Sequence, residues 1–249
     1  MKSSSNPYLE RVARLVGQKD PTRAVEIFVA DGSFPGEPLE ALAHRLGVNR
    51  IIEERLPFEG GLFRLSHGEL VIRLNSESPY VRKRFTLAHE IAHLLLQTVP
   101  AFRSTQRTDA ALERTCDLIA AELLMPTTET ADFVRGLGAP SPEKLRVIAS
   151  KYSVSTQAAA IRLRDGLKLW KCSIGMWERL PSVRTIWFVG LRRRDRAQPD
   201  PCCLDLALAS NSSVLTNDLW QRGESTCAVW LNLLGIGKCR VLGLVDFAN

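Results

Sequence analysis

From Leu39 the apolar residues recur at helical spacing, with Leu39, Leu42, Ala43 and Leu46 on one face and Gly47 just past the last turn. Residues 8–16 carry a similar pattern and predict an earlier short helix. The period then changes. Gly60-Gly61-Leu62-Phe63-Arg64-Leu65 and Glu69-Leu70-Val71-Ile72-Arg73-Leu74 flank Ser66-His67-Gly68, which predicts a β-hairpin with a glycine-containing loop. A longer helix is predicted from residue 79 or 80 to 97, before Pro100. Its apolar residues, among them Phe85, Leu87, Ala88, Ile91, Ala92 and Leu95, fall on every side, so it is expected to be buried all round. A second helix is predicted from Asp109 to Met125, where Pro126 disfavours further helical geometry. Leu112, Cys116, Ile119 and Leu123 form its apolar stripe.

Beyond Ser141 two short helices around Leu145-Ile148-Ala149 and residues 156–163, joined by Tyr152-Ser153-Val154-Ser155, predict a helix-turn-helix-like pair. After Trp170 the apolar runs shorten and read as β-strands at residues 185–189, 204–208, 228–231 and 240–245. The chain therefore divides into residues 1–138, a helical pair at 139–170, and a small C-terminal α/β domain at 171–249. Its class is α+β, with a β-rich C-terminal domain.

Composition changes this picture little. With 249 residues, 45% hydrophobic and 24% charged, the chain has room for one full core and a smaller companion, and disorder is excluded. No apolar run approaches the ~18 residues of a membrane span. The polar segment after Met1 lacks the form of a secretory leader, so a cytoplasmic location is expected. In that compartment the six cysteines, Cys202, Cys203, Cys227 and Cys239 included, read as reduced thiols without a Cys-x-x-Cys spacing. A net charge of +6, concentrated at Arg82-Lys83-Arg84 and Arg192-Arg193-Arg194, permits a nucleic-acid partner without implying one.

The chemistry lies in His89-Glu90-Ile91-Ala92-His93. Residues four apart on a helix differ by only ~40° around its axis, so both imidazoles can aim at one cation, with Glu90 beside them. In the His-Glu-x-x-His arrangement two neutral imidazoles hold zinc and the glutamate takes a proton from water. Two histidines and a glutamate in so apolar a helix would be costly if they had no partners. A third protein ligand is required. Val99 stands where the longer histidine motif would place another histidine, and His44 and His67 lie at no suitable spacing. Carboxylates of the second helix remain: Glu113, Asp117 and Glu122. Glu113 and Asp117 share a face beside the apolar stripe, while Glu122 points the opposite way, toward solvent. Glu113 is then the expected ligand, with Asp117 accepting the N–H of a ligating histidine.

The segment Arg84-Phe85-Thr86-Leu87-Ala88-His89-Glu90-Ile91-Ala92-His93, followed by Ala120-Ala121-Glu122-Leu123-Leu124-Met125-Pro126, resembles the ImmA/IrrE family of bacterial metallopeptidases. The resemblance covers roughly residues 39–126 and continues weakly to 167. It implies a zincin-like, gluzincin-like core, zinc held by His89, His93 and Glu113, catalysis by Glu90, and cleavage of a helix-turn-helix repressor that controls stress-response or mobile-element genes. Residues 171–249 match no sensor or cofactor motif.

A substrate peptide is expected to pair along an exposed sheet edge, with residues 69–74 as that edge and His67 or Tyr80 as candidate donors to the oxyanion. Two other functions are carried alongside. One is a DNA-binding regulator that reads the major groove through residues 156–164, with Arg162 and Arg164. The other is a regulator that sequesters a repressor without cutting it.

Overall fold

The computed structural model describes residues 38–98, 109–190, 198–210, 212–222 and 225–247. The predicted helix at residues 8–16 and the Arg192-Arg193-Arg194 cluster lie outside these. Elements are numbered within the described residues. By contacts the chain divides into two compact units, Met1–Thr130 and Ala131–Asn249.

In the first unit, α1 (Leu39–Arg45) buries Leu39, Leu42 and Ala43 and ends at Gly47, whose φ of +98° suits glycine. Nδ1 of His44 lies 2.8 Å from the carbonyl of Val48, so this histidine closes its own turn. Three strands follow: β1 (Arg50–Glu54), β2 (Gly60–Arg64) and β3 (Leu70–Asn75). The hairpin expected from residues 60–74 forms, with β2 antiparallel to β3 and Gly68 in its turn at φ +94°. β1 has no counterpart in the sequence reading. It pairs parallel to β3 from Arg50↔Val71 to Glu54↔Asn75, giving the order β1-β3-β2. Residues 69–74 are therefore not an edge. β3 is the central strand, with Val71, Ile72 and Leu74 buried, and the edges are β1 and β2. Two long helices, α2 (Tyr80–Thr98) and α3 (Asp109–Leu124), complete the unit, α2 lying against β2 and β3 and α3 against α2.

Helix α4 (Thr127–Leu137) was not foreseen. In the second unit, α5 (Pro142–Lys151) and α6 (Thr156–Ile161) form the expected helical pair. Ser141 and Ser155 cap them by accepting the N–H groups of Lys144 and Ala158. A π-helical turn at Arg162–Gly166 extends α6.

An antiparallel five-stranded sheet follows, built from β4 (Ser173–Arg179), β5 (Val183–Val189), β6 (Val214–Arg222), β7 (Ser225–Ile236) and β8 (Arg240–Phe247) in the order β5-β4-β8-β7-β6. Residues 204–208, expected as a strand, are instead inside helix α7 (Pro201–Ala209). The alternation of Leu204, Leu206 and Leu208 imitates a strand, but Asp200 accepts the Cys202 N–H at 2.8 Å and Pro201 opens the first turn. Leu204 and Ala207, three apart, face the sheet beside Trp177, Phe188 and Trp220. A Cβ on Gly235 would come within 2.6 Å of the Ala207 carbonyl, so α7 crosses the sheet where β7 has no side chain. The described chain is mixed α+β with a β-rich C-terminal region, and none of its described helices is long and apolar enough to cross a membrane.

Candidate active site

α2 packs its Leu87, Ala88, Ile91 and Ala92 into the core, but it is not buried all round. Along one stripe it stays partly open, where His89 and His93 face α3 with their side chains 16% and 19% exposed. The two rings meet edge to face, 4.9 Å between centroids, with Phe85 one turn earlier at 6.3 Å from His89. Their Nε2 atoms are 3.2 Å apart.

From α3, Glu113 reaches both rings: Oε2 lies 3.1 Å from Nε2 of His89 and Oε1 lies 3.4 Å from Nε2 of His93. One turn on, Oδ1 of Asp117 lies 3.0 Å from Nδ1 of His89. An ionised carboxylate only accepts, so with Nε2 turned to a metal the Nδ1–H of His89 donates to Asp117. Nε2 of His89, Nε2 of His93 and the two oxygens of Glu113 thus converge. Ligands ~2.0–2.2 Å from a tetrahedral zinc are ~3.3–3.6 Å from one another, and the separations here nearly match that. A neutral imidazole pair and one carboxylate also form a donor set suited to zinc, so the residues fit such an ion.

Glu90, about 100° around α2 from His89 and still close to both imidazoles, lies toward β2. It is 9% exposed, and burial pushes its carboxyl up from the ordinary glutamate range, opposed by His93, His89 and the backbone N–H of Leu62. That N–H comes from β2. The bonds Asn75 N–H to Glu59 O and Leu65 N–H to Glu69 O turn the odd-numbered residues of this strand toward β3. Gly60, Leu62 and Arg64 therefore direct their backbone groups outward, along the free edge beside Glu90. Gly60 lets β2 come this close: a Cβ there would lie 2.6 Å from the Arg73 carbonyl and 2.7 Å from Cγ2 of Thr86 on α2.

Other candidates are placed elsewhere. Glu122, expected in solvent, is 1% exposed; its carboxylate accepts the Thr127 N–H at 2.8 Å and the Thr127 hydroxyl at 2.7 Å, capping α4. Its burial depends on α4, the helix that it caps, which lies beyond the Pro126 stop. His67 pairs with Glu69 at 3.0 Å in the hairpin turn. Tyr80 opens α2, nine residues or ~13 Å of helix before His89, and stacks under Arg84. Cys116, read as part of an apolar stripe, has its Sγ 3.5 Å from Nδ1 of His93. Burial, and then the carboxylates of Glu113, Asp117 and Glu90, push this thiol up to about 12. His89, His93 and Cys116 form the one such group of histidine, cysteine and carboxylate donors found among the described residues.

The two helices that bring these residues together carry the two motifs on which the family resemblance rests. Residues 40–164 match the profile of Peptidase_M78, the IrrE N-terminal-like domain. The chain belongs to this family. Among IrrE relatives, the radiation response metalloprotease IrrE of Deinococcus radiodurans is 32% identical over 117 residues, 44% of this chain and 35% of that protein. The protein of the same name in Deinococcus deserti is 31% identical over 141 residues, 53% of this chain and 48% of that protein. The match thus spans less than half the length of either relative. A Mycobacterium tuberculosis transcriptional regulator superposes over 97% of this chain and 92% of its own, with a TM-score of 0.52 at 14% identity, a likeness of fold alone.

Proposed function

We propose that the chain is a zinc-dependent endopeptidase that cuts a cytoplasmic helix-turn-helix repressor and thereby releases stress-response or mobile-element genes. The observation that carries the reading is the convergence of His89 Nε2, His93 Nε2 and Glu113 at 3.1–3.4 Å, with Glu90 on the same helix. Zinc, when bound, supplies Lewis acidity that polarises a peptide carbonyl and acidifies water. Glu90 accepts the proton that the nucleophile gives up and passes it to the leaving amine. The Leu62 N–H favours the ionised form of Glu90, which accepts that proton. A peptide laid along the outer edge of β2, rather than along residues 69–74, runs past Glu90.

The DNA-reading alternative loses its readers, since Arg162 is 6% exposed and Arg164 donates to the carbonyls of Cys172 and Gly190, both at 3.1 Å. Incubating the zinc-loaded protein with helix-turn-helix repressors from the same genome, a neighbouring gene's product first where it is one, followed by mass spectrometry, tests the proposal. Wild type should produce two fragments, and Glu90→Gln should keep zinc and produce none. If both relieve repression equally with the repressor intact, the protein works by sequestration.

A further inference from the structure

His89 has a carboxylate behind it, and His93 has a thiol. Cys116 and Asp117 are consecutive on α3, and each faces the Nδ1 atom of one histidine: Cys116 Sγ at 3.5 Å from His93, Asp117 Oδ1 at 3.0 Å from His89. Consecutive helical residues point ~100° apart. The two histidines are themselves one turn apart, so adjacent positions on α3 serve successive turns of α2. Cys116 is fully buried, with Ile119 and Ala120 equally buried beside it on α3.

We propose that Cys116 is a positioning residue for His93: its sulfur accepts the Nδ1–H, fixes the ring and its tautomer, and presents Nε2 to the metal. The proposal rests on the zinc-site reading above. The rival role, with Cys116 as a metal ligand, draws the metal toward the Nδ1 side of His93, where Sγ lies 3.5 Å away. That side is away from the nitrogen that lies 3.2 Å from Nε2 of His89 and 3.4 Å from Glu113. Binding through Nε2 keeps all three donors together and leaves Nδ1 protonated, and a protonated ring nitrogen needs an acceptor. Sulfur fills that role weakly. Cys116 does for His93 what Asp117 does for His89, without adding a second negative charge behind the site.

The experiment is a competition titration of zinc against a chelating dye on the full chain, with cobalt(II) spectra in parallel. Cys116→Ala should weaken zinc roughly 10- to 100-fold, as loss of a partner behind a ligating histidine does. Cys116→Ser, which restores an acceptor, should recover most of that loss. Cobalt-loaded wild type should show no sulfur-to-cobalt charge-transfer band. Zinc binding by Cys116→Ala as tight as wild type overturns the proposal, and so does a charge-transfer band that disappears in that variant. The underlying site is judged separately: if His93→Ala and Glu113→Ala bind zinc as tightly as wild type, the zinc-site reading itself fails.

Discussion

Oδ1 of Asp117 lies 3.0 Å from Nδ1 of His89, a contact that joins the two long helices across 28 residues of sequence. It decides which nitrogen of His89 is free. Asp117→Ala removes the acceptor, so zinc affinity should fall roughly 10- to 100-fold, while Asp117→Asn, whose amide oxygen still accepts, should lose less. Dye competition on the three proteins checks this. Equal affinity in all three would show that the ring is oriented by other contacts.

Glu113 and Glu122 sit on the same helix but should fail in opposite ways. Glu113 is half exposed and faces the histidines, so Glu113→Ala should lose metal with little change in the thermal stability of the metal-free protein. Glu122 is buried as the cap of Thr127, and Glu122→Ala should lower stability by about 2 kcal/mol, because two hydrogen-bonding groups lose a charged acceptor. Denaturant unfolding and metal content, measured on each variant, separate the two. Similar metal loss in both would contradict the placement of Glu122.

Gly60→Ala puts a methyl group 2.6 Å from the Arg73 carbonyl and 2.7 Å from Thr86. β2 must then move away from α2. A stability loss of about 1–3 kcal/mol is expected. Because the Leu62 N–H moves with the strand, peptidase turnover should fall further than zinc content does. Unchanged turnover in a destabilised variant would mean that the Leu62 contact does not matter for Glu90.

In the C-terminal sheet, the hydrogen bond from Arg184, with that side chain's charge and Arg240 behind it, holds the Glu178 carboxyl below the ordinary glutamate range despite its burial. A carboxyl depressed in the folded state binds fewer protons there than in the unfolded chain. Its stabilisation is therefore present above the unfolded value of ~4.3 and is lost as pH falls through the folded value. Glu178→Gln should melt below wild type at pH 7, and the gap should close as pH drops below about 4. Thermal melts of both proteins from neutral to acid pH give the test; a gap independent of pH would refute the linkage.

The features that depend on spacing within one element could be read from the sequence. His89, Glu90 and His93 share a helix turn because a four-residue separation fixes their relative direction, whatever packs around them. The same arithmetic puts Glu113 and Asp117 on one face of α3, and the alternation around Ser66-His67-Gly68 gives the hairpin of β2 and β3. Tertiary structure decided what depends on partners far along the chain. Which strand is the edge turned on β1, a five-residue strand with charged ends that carries little pattern of its own and pairs with β3 through backbone groups. The burial of Glu122 turned on the helix that it caps, and the helical state of residues 204–208 on a cap and a packing face that outweigh their alternation. The sulfur behind His93 belongs to this second class. Cys116 fits an apolar stripe equally well by periodicity, and only the approach of α2 to α3 turns its Sγ toward an imidazole nitrogen.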